Sequence, residues 1–222
     1  MKFGDNIWQL KNNKKQPMKK YSVLMVLISA LSFGQKYSKA EISLISYGNI
    51  ETALPIFQTS DAAQHHVLLS KSIDAKPKDK YTEILVNRMK LSLLSTDGGV
   101  GIAAPQVGIN RNIIWVQRFD KAEKPLEYMI NPKILWRSEV LNFGPEGDLS
   151  IEIFRDYFYR SQVIQLEYFD LKGEKITEIL EGFTAIIAQH EIDHLSGILI
   201  SDKINNQKLE TFEKVELYKK GK

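Results

Sequence analysis

His190-Glu191-Ile192-Asp193-His194 is the stretch of this chain whose residue types and spacing most plainly offer chemistry. Two histidines four apart on a helix lie one above the other on the same face. That spacing lets both rings reach one metal ion, and the glutamate between them can then move protons for a water that the ion activates. The bland alternative is a pair of helix histidines hydrogen-bonded in a core, with Glu191 on the wet side. Two further stretches stand out upstream. Gly99-Val100-Gly101-Ile102-Ala103-Ala104-Pro105-Gln106 has the glycine content of a phosphate loop. It lacks the Gly-Lys-Ser/Thr ending and has no strong strand before it, so its glycines suggest a backbone that something approaches closely. Glu146-Gly147-Asp148-Leu149-Ser150 follows Gly144-Pro145 and by itself reads as a turn.

These residues must be positioned by the elements around them. Thr184 can cap the histidine helix, Ala185 to Ala188 supply small and apolar side chains, and Gly197 suits its end. Asp79 to Leu94 reads as a helix capped by Asp79, with Leu85, Met89 and Leu93 recurring at four-residue spacing. Strands are expected at Ile113–Gln117 and Tyr128–Leu135, the second with Pro132 marking an edge or a bulge. A hairpin is expected from Val163–Phe169 and Lys175–Leu180 across the turn Asp170–Gly173. Residues 41–78 read as extended or loop structure, with His65-His66 on a surface loop. Residues 205–220 read as a final amphipathic helix through Leu209, Phe212 and Val215. A run of strands before the main helix predicts an α+β fold: mixed or antiparallel sheets packed around a central histidine-bearing helix, with a C-terminal amphipathic helix.

The three chemical stretches, in this order, resemble the three signature motifs of the peptide deformylases, which remove the N-terminal formyl group from nascent peptides. The resemblance spans roughly residues 41–205. It implies one divalent metal ion, Fe²⁺ or Zn²⁺, held by Asp148, His190 and His194, with Glu191 moving protons. It also implies that the Gln106 side chain and the Leu149 backbone N–H stabilise the formyl oxygen, and that the backbone of Val100, Gly101 and Gly147 pairs with an N-formylated peptide. Glu146 would support the second motif. The chain departs from the family at Asp148, where deformylases carry the cysteine that ligates the metal. It has no cysteine elsewhere to replace it. Two histidines and a carboxylate form both a catalytic zinc set and a non-haem iron set. The carboxylate is harder than a thiolate and can bind through one oxygen or two.

Composition narrows the classes. The 222 residues allow one domain with a sizeable core plus an appendage, and 43% apolar and 26% charged residues are ordinary for a globular chain. The absence of cysteine excludes disulfides, thiolate metal sites and cysteine nucleophiles. Of the net charge of +3, residues 1–40 carry +7 (eight lysines and Asp5), leaving −4 for residues 41–222. The basic excess therefore lies in the leader and gives no reason to expect a nucleic-acid partner. Met18-Lys19-Lys20, then an apolar run from Val23 to Phe33, reads as a secretory signal peptide within 18–40, cleaved after Gly34 or after Ala40. Residues 1–17 read as an extension ahead of a start at Met18. The expectation is export, with contact to a membrane only through the leader, and a single catalytic domain at 41–222. A cytoplasmic location is the alternative.

Three other functions use parts of the same residues. An exported, non-catalytic descendant would bind peptide N-termini. A secreted zinc peptidase would take its third ligand from Glu210 or Glu213, because position 200 is Ile200 where the longer peptidase motif has histidine. An iron oxygenase fits the ligand types but not the glutamate beside them.

Overall fold

The computed structural model describes residues 7–10, 34–208, 210 and 212–214. The apolar run expected as a signal peptide, 23–33, and the end of the expected last helix, 215–220, lie outside them. The described elements run β1 (Ile7–Leu10), α1 (Lys39–Ile45), α2 (Ala62–Leu68), α3 (Lys80–Leu94), β2 (Gly101–Ala103), β3 (Ile113–Gln117), β4 (Leu126–Arg137), β5 (Val140–Asp148), β6 (Ile151–Ser161), β7 (Val163–Phe169), β8 (Lys175–Glu181), α4 (Gly182–Leu195), α5 (Ile200–Gln207) and β9 (Phe212–Lys214). They form an α+β fold with two antiparallel sheets, ordered β2-β3-β4-β7-β8 and β6-β5-β1-β9.

The five-stranded sheet is covered on both faces, which explains the uninterrupted apolar run of β3. Side chains alternate across a strand. Ile113 and Trp115 therefore join the core built on Leu85, Val86, Met89 and Leu93 of α3. Ile114 and Val116 join a second core with Ala185, Ile187, Ala188 and Leu195 of α4. The histidine helix is thus wedged against the inner face of one sheet. It is tied to the other sheet by Gln189, whose side chain both accepts from the Ser161 N–H (3.1 Å) and donates to the Ser161 carbonyl (2.9 Å). Severing such a paired, buried hydrogen bond leaves backbone groups unsatisfied at about 1–3 kcal/mol each.

Several local expectations shift in the folded chain. Asp79 caps α3 through its side chain, as anticipated. Gly197 follows the end of α4 at φ +71°, the left-handed conformation that terminates helices. Thr184, however, does not cap α4. The N-cap is Glu181, and the Thr184 hydroxyl, inside the first turn, accepts from the Asp120 N–H (3.2 Å). Residues 41–78 are not all loop: they include most of α1 and the whole of α2, both N-capped by polar side chains, Ser38 and Asp61. His65 and His66 lie in the last turn of α2 rather than on a loop. The C-terminal helix is present but upstream of its expected place, at Ile200–Gln207, and Phe212–Lys214 is a strand. Pro132 marks a bulge, since the β4–β7 register slips between Ile130 and Lys133. The strand is interior, so the edge reading does not apply.

The N-terminal segment is integrated with the domain from Gly34 onward. Arg111 is fully buried. Its guanidinium donates to the carbonyls of Gln35 (2.7 Å) and Lys36 (2.8 Å), pairs with Glu41 (2.6 Å), and stacks over the Tyr37 ring. Residues 7–10, within the stretch expected to precede the start, form β1 between β5 and β9. Among the described residues, no helix is long and apolar enough to cross a membrane.

Candidate metal centre and active site

The second motif is not the turn that its glycines and proline suggest. Glu146, Gly147 and Asp148 end β5, which pairs with β6 along its length, and only Leu149 and Ser150 turn the chain. This places Asp148 opposite the histidine face of α4. Asp148, His190 and His194 each offer one ligand atom, and the three atoms lie within 4.8 Å of one another. Asp148 Oδ2 is 3.4 Å from His194 Nε2. Both atoms are buried without a hydrogen-bond partner, as is Glu191 Oε2. Buried polar atoms are nearly always satisfied. Unsatisfied atoms of ligating types that converge from three residues fit a divalent cation and its water.

The helix histidines are oriented from outside the site. His190 Nδ1 meets Glu146 Oε2 at 2.9 Å. Arg160 grips the same carboxylate with two bonds of 2.7 Å. Burial raises the pKa of Glu146, but the Arg160 charge outweighs this and holds it at about 2. A carboxylate can only accept, so His190 donates from Nδ1 and Nε2 is the ring atom turned to the site. Arg160 also pairs with Asp193, which takes a further bond from Lys203 (2.8 Å). The intervening residue of the motif is thus used in an ion-pair chain behind the histidines.

Glu191 is 4% exposed. Burial, reinforced by the Asp148 charge and opposed by His190, raises its pKa to about 8. A carboxyl poised near neutrality suits proton transfer in both directions. Burial depresses His194 to about 4, so it is a neutral imidazole able to ligate. Burial opposes a charge on His190, but the hydrogen bond to Glu146 and the neighbouring carboxylates outweigh it and raise its pKa to about 9.

Gln106 lies in a single 3-10 turn, Ala104–Val107, after β2. Its Oε1 accepts from the Ala103 N–H (2.9 Å), which fixes Nε2 as the donor facing Asp148 Oδ1 (3.2 Å) and Ser150 Oγ (3.3 Å). The Leu149 peptide is held by Gln58, whose Nε2 donates to its carbonyl (2.9 Å). The same short segment ties the first and second motifs together. Phe57 N–H donates to the Gln106 carbonyl and Thr59 N–H to that of Ser150. Nothing in the sequence flags Phe57–Thr59, because backbone tethering carries no residue-type signature.

Val100, Gly101, Gly147, Leu149, Glu191 and His190 line one open cavity of about 420 Å³, with Phe154, Arg155, Phe183 and Ile186 on its walls. Every residue expected in the site therefore faces one cleft or its floor. A larger cavity, about 510 Å³, lies behind Arg160 and is lined by Lys203, Glu139 and Glu210. Its acids Glu139 and Asp193 already have partners in Gln9, Arg160 and Lys203. Glu210 is on that side, away from the ligand cluster, so the fold does not bring it to the histidines as the peptidase reading requires.

Two imidazoles and a carboxylate aimed at one point, with a buried glutamate beside them and an open cleft in front, define a metallohydrolase site in an α+β domain. The chain belongs to the peptide deformylase family: the polypeptide deformylase family model matches residues 55–210. A peptide deformylase from Thermotoga neapolitana is 41% identical over 138 residues, 60% of this chain and 80% of that protein. Among solved structures, the class I type b peptide deformylase from Acinetobacter baumannii superposes with a TM-score of 0.62 at 32% identity, covering 68% of this chain and 99% of that one. The same enzyme bound to Met-Ala-Ser gives 0.59 at 31% identity, covering 68% and 98%.

Proposed function

We propose that this chain hydrolyses the N-terminal formyl group from formyl-methionyl peptides, releasing formate and a free amine. The observation that carries the reading is the convergence of the unpartnered Asp148 Oδ2 and His194 Nε2 with His190, beside buried Glu191, at the floor of a cleft. Asp148, His190 and His194 would hold one divalent ion, Fe²⁺ or Zn²⁺. When bound, the ion supplies an acidified water and polarises the formyl oxygen. Glu191 would take a proton from the water that adds to the formyl carbon. Glu191 then delivers the proton to the departing nitrogen as the C–N bond breaks. The Leu149 N–H and one Gln106 N–H face the developing oxyanion, each worth about 3–4 kcal/mol in such a role. The backbone of Val100, Gly101 and Gly147, which line the cleft, would pair with an extended peptide. A relative crystallised with Met-Ala-Ser supports a peptide occupant.

The test is metal analysis of the intact protein combined with hydrolysis of an N-formyl-Met peptide. One divalent ion per chain with turnover is expected, and Glu191→Ala should keep the ion and lose about 10²–10⁴-fold in rate. Metal-loaded protein that binds formyl peptides without cleaving them with either ion would instead identify a peptide-binding descendant.

We further propose that the domain is exported and that cleavage follows Gly34. The Arg111 grip on the Gln35 and Lys36 carbonyls supports this site over the one after Ala40, which falls inside α1 and would cut away those two contacts and the Ser38 cap. The substrate outside the cytoplasm would be released formyl peptide rather than nascent chains. Sequencing the native N-terminus should read from Gln35. A start at Glu41, or within 1–17, overturns this site.

A further inference from the structure

Asp148 stands at the position where the resemblance implies a cysteine, and its surroundings commit the carboxylate asymmetrically. Asp148 has a fully buried side chain. Its Oδ1 accepts from the Ser150 N–H (2.8 Å) and from Gln106 Nε2 (3.2 Å). Its Oδ2 accepts nothing and faces His194. The donors on Oδ1 are themselves pinned. Gln106 is 1% exposed and locked by the Ala103 N–H. Ser150 is fully buried, and its carbonyl accepts from Thr59.

We propose that Asp148 ligates the metal through Oδ2 alone, and that Gln106, acting with the Ser150 N–H, is the positioning residue that keeps it monodentate. This rests on the metal-site reading above. A free carboxylate beside a divalent ion can close onto it with both oxygens. Doing so here would fill a coordination position that hydrolysis needs open. Holding Oδ1 with two buried donors prevents that closure. Gln106 then has two tasks with two N–H groups. One restrains the ligand, and the other, in a long 3.3 Å contact with Ser150 Oγ, is the one left for the substrate oxygen.

The test uses the full domain loaded with Co²⁺, whose visible absorption is strong in four-coordinate sites and weak at higher coordination. Wild type should show the strong bands, and Gln106→Leu should keep one Co²⁺ per chain while losing most of that intensity as Asp148 becomes bidentate. An unchanged spectrum in Gln106→Leu overturns the role of Gln106. A crystal structure of the zinc-loaded wild type, which needs no variant to fold, decides the binding mode. Oδ2 alone should lie at about 2.0–2.2 Å from the ion, and two bonded oxygens overturn the proposal. Wild type that takes up neither Co²⁺ nor Zn²⁺ removes the metal-site reading itself, an outcome distinct from both.

Discussion

A methyl group added to Gly101 would stand 2.4 Å from Oε1 of Glu191 and 2.7 Å from Cγ2 of Ile187. The first motif is glycine at this position because α4 passes directly beneath β2, with the glutamate of the third motif filling the space where a side chain would go. The φ of Gly101 is not positive, so alanine meets no backbone penalty there and the substitution reports crowding alone. Gly101→Ala should displace the Glu191 carboxylate by a sizeable fraction of an ångström. Turnover should drop by about 10²-fold, the usual cost of such misplacement, with metal content unchanged. Steady-state kinetics beside metal analysis checks it, and full activity would show that Glu191 need not sit where the glycine allows.

Glu146→Gln removes the charge that orients His190 and neutralises buried Arg160. Such outer partners of metal-ligating histidines typically contribute 10–100-fold in metal affinity, and the stability loss should fall below the roughly 3–5 kcal/mol of an orphaned buried charge, because Asp193 still pairs with Arg160. Chelator competition and urea unfolding should both register the change. A variant that binds metal as tightly as wild type would reduce Glu146 to a packing residue.

Asp148 stands where the resemblance implies a cysteine, and peroxide does not attack a carboxylate as it does a thiolate. Wild type should keep its metal and activity after peroxide treatment, and Asp148→Cys should lose both. Equal sensitivity in the two proteins would dissociate this substitution from any adaptation to an oxidising compartment.

Arg118 is 1% exposed and is ringed by Asp120, Glu127 and Glu178. Burial pushes the carboxyls of Asp120 and Glu178 upward, but the Arg118 guanidinium outweighs it and holds both below their ordinary values. A depressed folded-state pKa means stability that is present above the unfolded carboxylate value of about 4 and is lost as pH falls through the folded one. Glu178→Gln should therefore be less stable than wild type at pH 7, with the gap closing below about pH 4. Urea midpoints at the two pH values test the sign, and a constant gap would contradict it.

The readable part of this molecule follows from period and punctuation. The four-residue recurrence in α3, its Asp79 cap, the β7–β8 hairpin and the Pro132 bulge are local signals with local causes. Where the folded chain departs from its local cues, either tertiary pairing overrides them or the element is too short to show a period. Gly144, Pro145 and Gly147 look like a turn, yet β6 recruits them into a long strand. Ser38 and Asp61 cap helices too short to show a clear apolar period. Thr184 has the chemistry of a cap, but Asp120 claims its hydroxyl and the helix begins two residues earlier.

By itself, the sequence determined which groups were available for chemistry: two histidines one helical turn apart, a glutamate between them, an aspartate and no cysteine. These are properties of residue type and of a 3.6-residue period. What each group does beyond that was decided by tertiary structure. Asp193 of the motif turns away to Arg160, Glu146 orients His190 across 44 positions of chain, and Gln106 meets Asp148 across 42. Only folding brings β5, the turn after β2 and α4 together. The site's electrostatics arise from that burial, so the pattern that names the ligands carries no sign of how they are held.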